Sequence, residues 1–167
     1  MNVLVSDTSV LIDLERGGLL EVAFRLPCEF VVPDLLYKRE LASYNGPRLV
    51  ELGLRIEALD EHGLRQAIAY RASAPALSLA DCFALALAKI HDWTLLAGDS
   101  ALRALALAEQ VEHHGVLWIF DRLLEHQCAP QVLYQALTTI AHHPRCRLPP
   151  RDIKERLDLY HRLNESE

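Results

Sequence analysis

What this chain of 167 residues has little of narrows the reading before any motif does. It contains no uninterrupted run of about 18 apolar residues, so a helix that spans a membrane is not expected. Its opening residues lack the basic start, long apolar stretch and small-residue cleavage site of a secretory signal, and the expected location is the cytoplasm. The four cysteines, Cys28, Cys82, Cys128 and Cys146, are scattered and form no CxxC pair, which speaks for reduced thiols and against a zinc ribbon or a redox centre. Positive charge is also in deficit, with 17 Lys and Arg against 23 Asp and Glu and a net charge of −6. Coating of nucleic acid by bulk charge is thereby disfavoured, although an enzyme that gathers acids at a metal site and meets phosphate through a local basic patch is not. No HExxH or GxSxG spacing occurs, so neither a zinc protease nor a serine nucleophile is supported. Repeats and low-complexity tracts are absent as well.

Apolar residues, by contrast, make up 51% of the chain, enough to fill a single core, and one domain over residues 1–167 is expected. A short apolar run bounded by turn formers at 2–6 reads as a strand buried on both faces. Helices are expected around 9–15 and 18–26, and a strand at Phe30, Val31 and Val32 is stopped by Pro33. The stretch DLLYKRELAS reads as a helix, followed by a short helix near 48–53 and an edge strand over 54–59. A helix over 61–72, a long helix over 79–92, a strand over 94–97, a helix over 100–109 and a strand over 114–117 complete the alternation. Such alternation predicts a parallel α/β sheet. Three further helices are expected near 118–126, 130–142 and 150–163, punctuated by Pro130, Pro144, Pro149 and Pro150. The run from Arg145 to Arg156 carries Arg145, Arg147, Arg151, Lys154 and Arg156, and reads as a solvated helix face ahead of a phosphate-binding patch.

Four acids stand where ordinary surface acids do not. Asp7 follows the first strand in VLVSDTSVLIDL, at a helix start where Asp, Ser and Thr serve as caps. Asp99 repeats that placement in LLAGDSALRALAL, after a strand and directly before a helix. Both fall at the edge of an open α/β sheet where ligands bind. Asp81 is the one acid in the first turns of a helix that is apolar nearly all round, and Ser78 with Asp81 resembles a capping box. Glu40 is expected on a half-buried face shared with Leu36. Capping accounts for three of these acids singly; a shared divalent ion accounts for all four together.

These segments resemble the PIN domain, the metal-dependent ribonuclease domain of VapC-type toxins. The likeness rests on the strand ending in DTS at Asp7, on VVPDLLYKREL with Glu40, on SLADCFALALA with Asp81 and on LLAGDSALRA with Asp99, and it covers residues 2 to about 118. It implies a three-layer α/β/α fold around a parallel sheet of order 3-2-1-4-5, with residues 1–118 as the core and 119–167 as extra C-terminal helices. It further implies Mg2+ or Mn2+ held by Asp7, Asp81 and Asp99, with Glu40 orienting the attacking water and Thr8, Ser9 and Ser100 in support. The expected activity is hydrolysis of RNA phosphodiester bonds, with an antitoxin and a second copy of the chain as protein partners and no membrane. Two positions depart from the family pattern: Ala97 stands where Thr or Ser is common two residues before the last acid, and Ala101 where a further Asp is common. They favour a noncatalytic binding or scaffold protein of the same fold as the alternative. A phosphotransfer module or haloacid dehalogenase-like phosphatase fits less well, since Ser9 occupies the position of its second Asp. The adjacent pairs His113–His114 and His142–His143 read as surface or loop residues, and Trp93 and Trp118 as core.

Overall fold

The computed structural model describes residues 2–166. Five strands, β1 (Asn2–Ser6), β2 (Cys28–Pro33), β3 (Arg55–Glu57), β4 (Thr94–Leu96) and β5 (His113–His114), form one sheet of order β3-β2-β1-β4-β5. Every pairing is parallel, with Leu4 opposite both Phe30 and Thr94. Alternation along each strand deals its side chains to two apolar layers. Leu4, Phe30, Val32 and Leu96 enter one layer, whereas Val5, Val31, Leu95 and Ala97 enter the other. This two-sided burial is why the strands read as continuous apolar runs.

On the second layer lie α5 (Glu61–Ser73), α6 (Leu79–His91) and α7 (Ser100–Ala108). Helix α6 buries Ala80 and every residue from Cys82 to Ala88, as its all-round apolar sequence requires. The first layer is covered by α1 (Thr8–Arg16), α2 (Leu20–Ala23) and the C-terminal helices α8 (Val116–Glu125), α9 (Pro130–His142) and α10 (Pro150–Glu165). Helix α10 inserts Tyr160, fully buried, and Arg156 clasps Asp121 of α8 through two bonds of 2.9 and 2.8 Å. All four cysteines are free, and burial pushes the Cys28 thiol up to about 11.

Three elements differ from expectation. The strand expected over 114–117 is only His113–His114, because Val116 and Leu117 already belong to α8, where Val116, Ile119, Phe120 and Leu123 make a buried helical stripe. His113 and His114 are therefore strand neighbours that point to opposite faces, each half-buried. The helix expected over 18–26 shrinks to Leu20–Ala23, with turns on either side. The DLLYKRELAS helix divides into α3 (Asp34–Leu36) and a π-helical segment (Tyr37–Leu41), followed by α4 (Gly46–Leu52). Among the described residues no helix is long and apolar enough to cross a membrane.

Candidate metal centre

In this strand order β1 is followed in sequence by β2 on one side, while β4 lies on its other side. The crevice beyond the carboxyl ends of β1 and β4 is therefore the switch point at which open α/β sheets bind ligands. Asp7 leaves β1 there, its own N–H donating to Leu96 O of β4 at 2.9 Å. Its side chain caps α1, Oδ1 accepting from Val10 N at 2.9 Å, while Oδ2 accepts from Gly98 N of the opposite loop at 2.8 Å. Ser9 Oγ lies 3.0 and 2.9 Å from the same two oxygens. Gly98 sits so close that a Cβ there would drive into Ser9 Oγ. A side chain at 98 would displace the Ser9 hydroxyl from Asp7, so glycine keeps the amide of the β4 loop and the Ser9 hydroxyl on Asp7 together, a contribution that sequence reading missed, although a glycine directly before Asp99 was its visible trace.

Asp99 caps α7 with one oxygen, Oδ1 accepting from Leu102 N at 2.9 Å, and it is exposed. Ser78 caps α6 by accepting from Asp81 N at 3.0 Å, which leaves the Asp81 carboxylate at the first turn of that helix. The capping roles thus exist, and at Asp99 they occupy only half of the carboxylate. Glu40 is exposed, contrary to the half-buried face expected: it lies in the π-helical segment four residues after the buried Leu36, and that spacing does not bring cover from a neighbouring element. It nonetheless reaches the crevice, where Thr8 Oγ1 donates to Glu40 Oε2. Ser100 opens α7 and is exposed.

Electrostatics link the set. Burial pushes the Asp7 carboxyl up to about 6 against the opposing pull of its Val10, Gly98 and Ser9 hydrogen bonds, with the Asp81 charge adding to the rise. Asp81 is raised by burial first, with the hydroxyl of Ser78 opposing and the charges of Asp99 and Glu40 adding. No side-chain cation is among the groups that perturb Asp7 or Asp81. Hard carboxylate oxygens are the donors that Mg2+ prefers, and Mg2+ is commonly held through one or two of them with waters completing its shell. Among the described residues no group of three or more His, Cys, Asp or Glu side chains is set closely enough to enclose an ion by itself. The donors present are of the hard kind that Mg2+ or Mn2+ takes, and among the described residues they do not form a closed protein cage.

A family model of the PIN domain, DUF3368, matches residues 3–162. The chain belongs to the PIN domain family. The match extends past residue 118 and takes in α8, α9 and most of α10, so the C-terminal helices belong to this form of the PIN domain. A PilT N-terminus domain protein, SSO1118, from the hyperthermophilic archaeon Sulfolobus solfataricus P2 has a similar structure, at 14% identity and a TM-score of 0.50, covering 77% of this chain and 98% of its own. That likeness concerns the fold. A toxin-antitoxin complex from Klebsiella pneumoniae is a more distant match, at 20% identity and a TM-score of 0.42 over 58% of this chain and 87% of that one. A search of curated proteins gave no match.

The raised Asp7 carboxyl gives this PIN domain a pH-dependent stability of definite sign. A carboxyl whose folded value lies above its unfolded one holds its proton more tightly when folded, so its contribution is full below about 3.8 and lost as pH rises through about 6. The metal-free protein should therefore lose on the order of 3 kcal/mol between about pH 4 and pH 7. Asp81 and Asp13, also raised, act in the same direction, while Glu112, lowered chiefly by its bond from Thr94, opposes them weakly. Urea midpoints measured in chelator across that range check this, and a midpoint that climbs steadily to pH 7 would contradict it.

Proposed function

We propose that this PIN domain is a divalent-metal-dependent endoribonuclease that acts in the cytoplasm, with an antitoxin and a second copy of the chain as its protein partners. The observation that carries the reading is the gathering of negative charge at the switch point. Asp81 feels the charges of Asp99 and Glu40, Asp7 feels that of Asp81, and no side-chain cation is among the groups that perturb Asp7 or Asp81. An arrangement of this kind is costly unless a cation joins it.

Asp7 and Asp99 would hold the ion, with Asp81 reaching it through water. Asp99 offers the oxygen its cap bond leaves free, and Asp7 is fixed in place by the Val10 and Gly98 amides. A bound Mg2+ or Mn2+ would lower the pKa of a coordinated water and neutralise charge on the phosphoryl oxygens. Glu40, steadied by the Thr8 hydroxyl, orients the water that attacks phosphorus in line as the bond to the leaving sugar oxygen breaks. Ser9 keeps the Asp7 carboxylate turned toward the crevice.

A noncatalytic PIN-fold binding protein is the second reading, favoured by Ala97 and Ala101 at positions where further polar ligands are common in the family. Incubation with end-labelled RNA separates the two. The nuclease reading expects cleavage with Mg2+ or Mn2+ that stops in chelator and returns when the ion is restored; binding of RNA with no cleavage under any divalent ion would favour the second.

A further inference from the structure

Beside the acidic crevice lies a cleft of about 530 Å³ with four arginines in its lining. Ser9 and Asp99 line it together with Arg16 from the end of α1, Arg103 from α7, and Arg145 and Arg147 from the loop between α9 and α10. Arg16 has Asp13 at 3.7 Å, whereas Arg103, Arg145 and Arg147 have no carboxylate partner among the described residues. The run of basic residues from Arg145 to Arg156 is thus two different things. On α10, Arg151 and Lys154 are paired with Glu155 and Asp158 of the same helix and Arg156 with Asp121 of α8, while the two loop arginines face the cleft unpaired.

We infer that this cleft seats the backbone of single-stranded RNA next to the scissile phosphate, with Arg103, Arg145 and Arg147 contacting successive phosphates. The assignment rests on the nuclease reading for its direction, because a strand whose phosphate lies at Asp99 continues into the cleft that Asp99 and these arginines line together. The guanidinium fork matches phosphate oxygens two at a time, and three unpaired forks in one cleft of a protein with net charge −6 concentrate positive charge where the rest of the chain repels polyanions. A space of this size, in the range of a small-molecule pocket, has room for a nucleotide or two of a single strand, with the flanking backbone continuing along its rim. The loop after α9 thereby acquires a role in substrate binding.

The test is fluorescence anisotropy of an end-labelled single-stranded RNA with the full-length protein in chelator, repeated over a salt series. Three phosphate contacts give a slope of log affinity against log salt near −2, at about −0.7 per contact for a single strand. The Arg145→Gln/Arg147→Gln variant should bind about 10-fold or more weakly at low salt and reduce the slope by roughly 1.4. Its melting temperature should not move, since both side chains are exposed. A variant with the same charge removed elsewhere, Arg151→Gln/Lys154→Gln, should bind as the wild type does. Equal weakening by both pairs, wild-type binding without salt dependence, no binding at all, or displacement of the RNA by an acidic peptide at equal charge concentration would each overturn the inference. Arginine-dependent binding without metal-dependent cleavage would sustain the cleft and sink the nuclease reading; cleavage with binding indifferent to these arginines would do the reverse.

Discussion

Asp99→Asn will abolish metal-dependent cleavage of RNA, by roughly 10²-fold or more, and leave the fold as stable as before. The expected loss follows from removing one charged ligand from a metal that contributes several kcal/mol of charge stabilisation to the transition state. Stability is spared because only Oδ1 of Asp99 has a structural task, accepting from Leu102 N, and Asn caps a helix about as well as Asp. Asp99 is the right carboxylate for this experiment, and Asp7 is not. Both oxygens of Asp7 accept from backbone N–H groups, so an amide there must turn its own N–H2 toward either Val10 N or Gly98 N and loses a bond while gaining relief from burial. Cleavage assays on labelled RNA and a melting curve, run on the same preparation, check both halves. An Asp99→Asn protein that cleaves as the wild type does would remove Asp99 from the chemistry.

The second large effect lies at the other end of the molecule. Tyr160→Ala should cost about 3–5 kcal/mol, the range for deleting a fully buried aromatic side chain. Tyr160→Phe should cost nothing or stabilise, because the hydroxyl is buried with no hydrogen-bond partner among the described residues. The same burial is the main reason its phenol is pushed far up. With Ile153, Leu157 and the Arg156–Asp121 clasp, Tyr160 makes α10 part of the first apolar layer, so deletion of residues 150–167 should depress the melting temperature strongly in the monomer. If α10 were only a surface for a partner, the deletion and Tyr160→Ala would both leave melting unchanged and weaken association alone. Denaturant unfolding of the three variants at low protein concentration distinguishes these outcomes.

The two-layer sheet was legible in the sequence because buried parallel strands write themselves as unbroken apolar runs, and the acids were legible because Asp7 and Asp99 stand at strand ends in cap positions. The misreadings share a cause, which is that a linear pattern carries no register between distant elements. Glu40 was placed on a half-buried face by its spacing from Leu36, and spacing alone does not say whether a neighbouring element covers that face. Gly98 meets Asp7 across a separation of 91 residues. Arg16 and Arg103 join Arg145 and Arg147 only in three dimensions, while the run from Arg145 to Arg156 merged loop arginines with a paired helix face. His113 and His114 were read without knowing that β5 ends at them, since Val116 and Leu117 suit a strand and a helix start equally well.

Every chemical step assigned above depends on one divalent ion at the carboxyl ends of β1 and β4, and anomalous scattering from crystals soaked in Mn2+ measures its position directly. A single strong peak is expected within reach of the Asp99 and Asp81 carboxylates and beside Asp7, at about 2.1 Å from at least one carboxylate oxygen, and no such peak in Asp99→Asn crystals soaked alike. Crystals that cleave RNA when dissolved in Mn2+ yet show the ion only elsewhere on the molecule would contradict this placement.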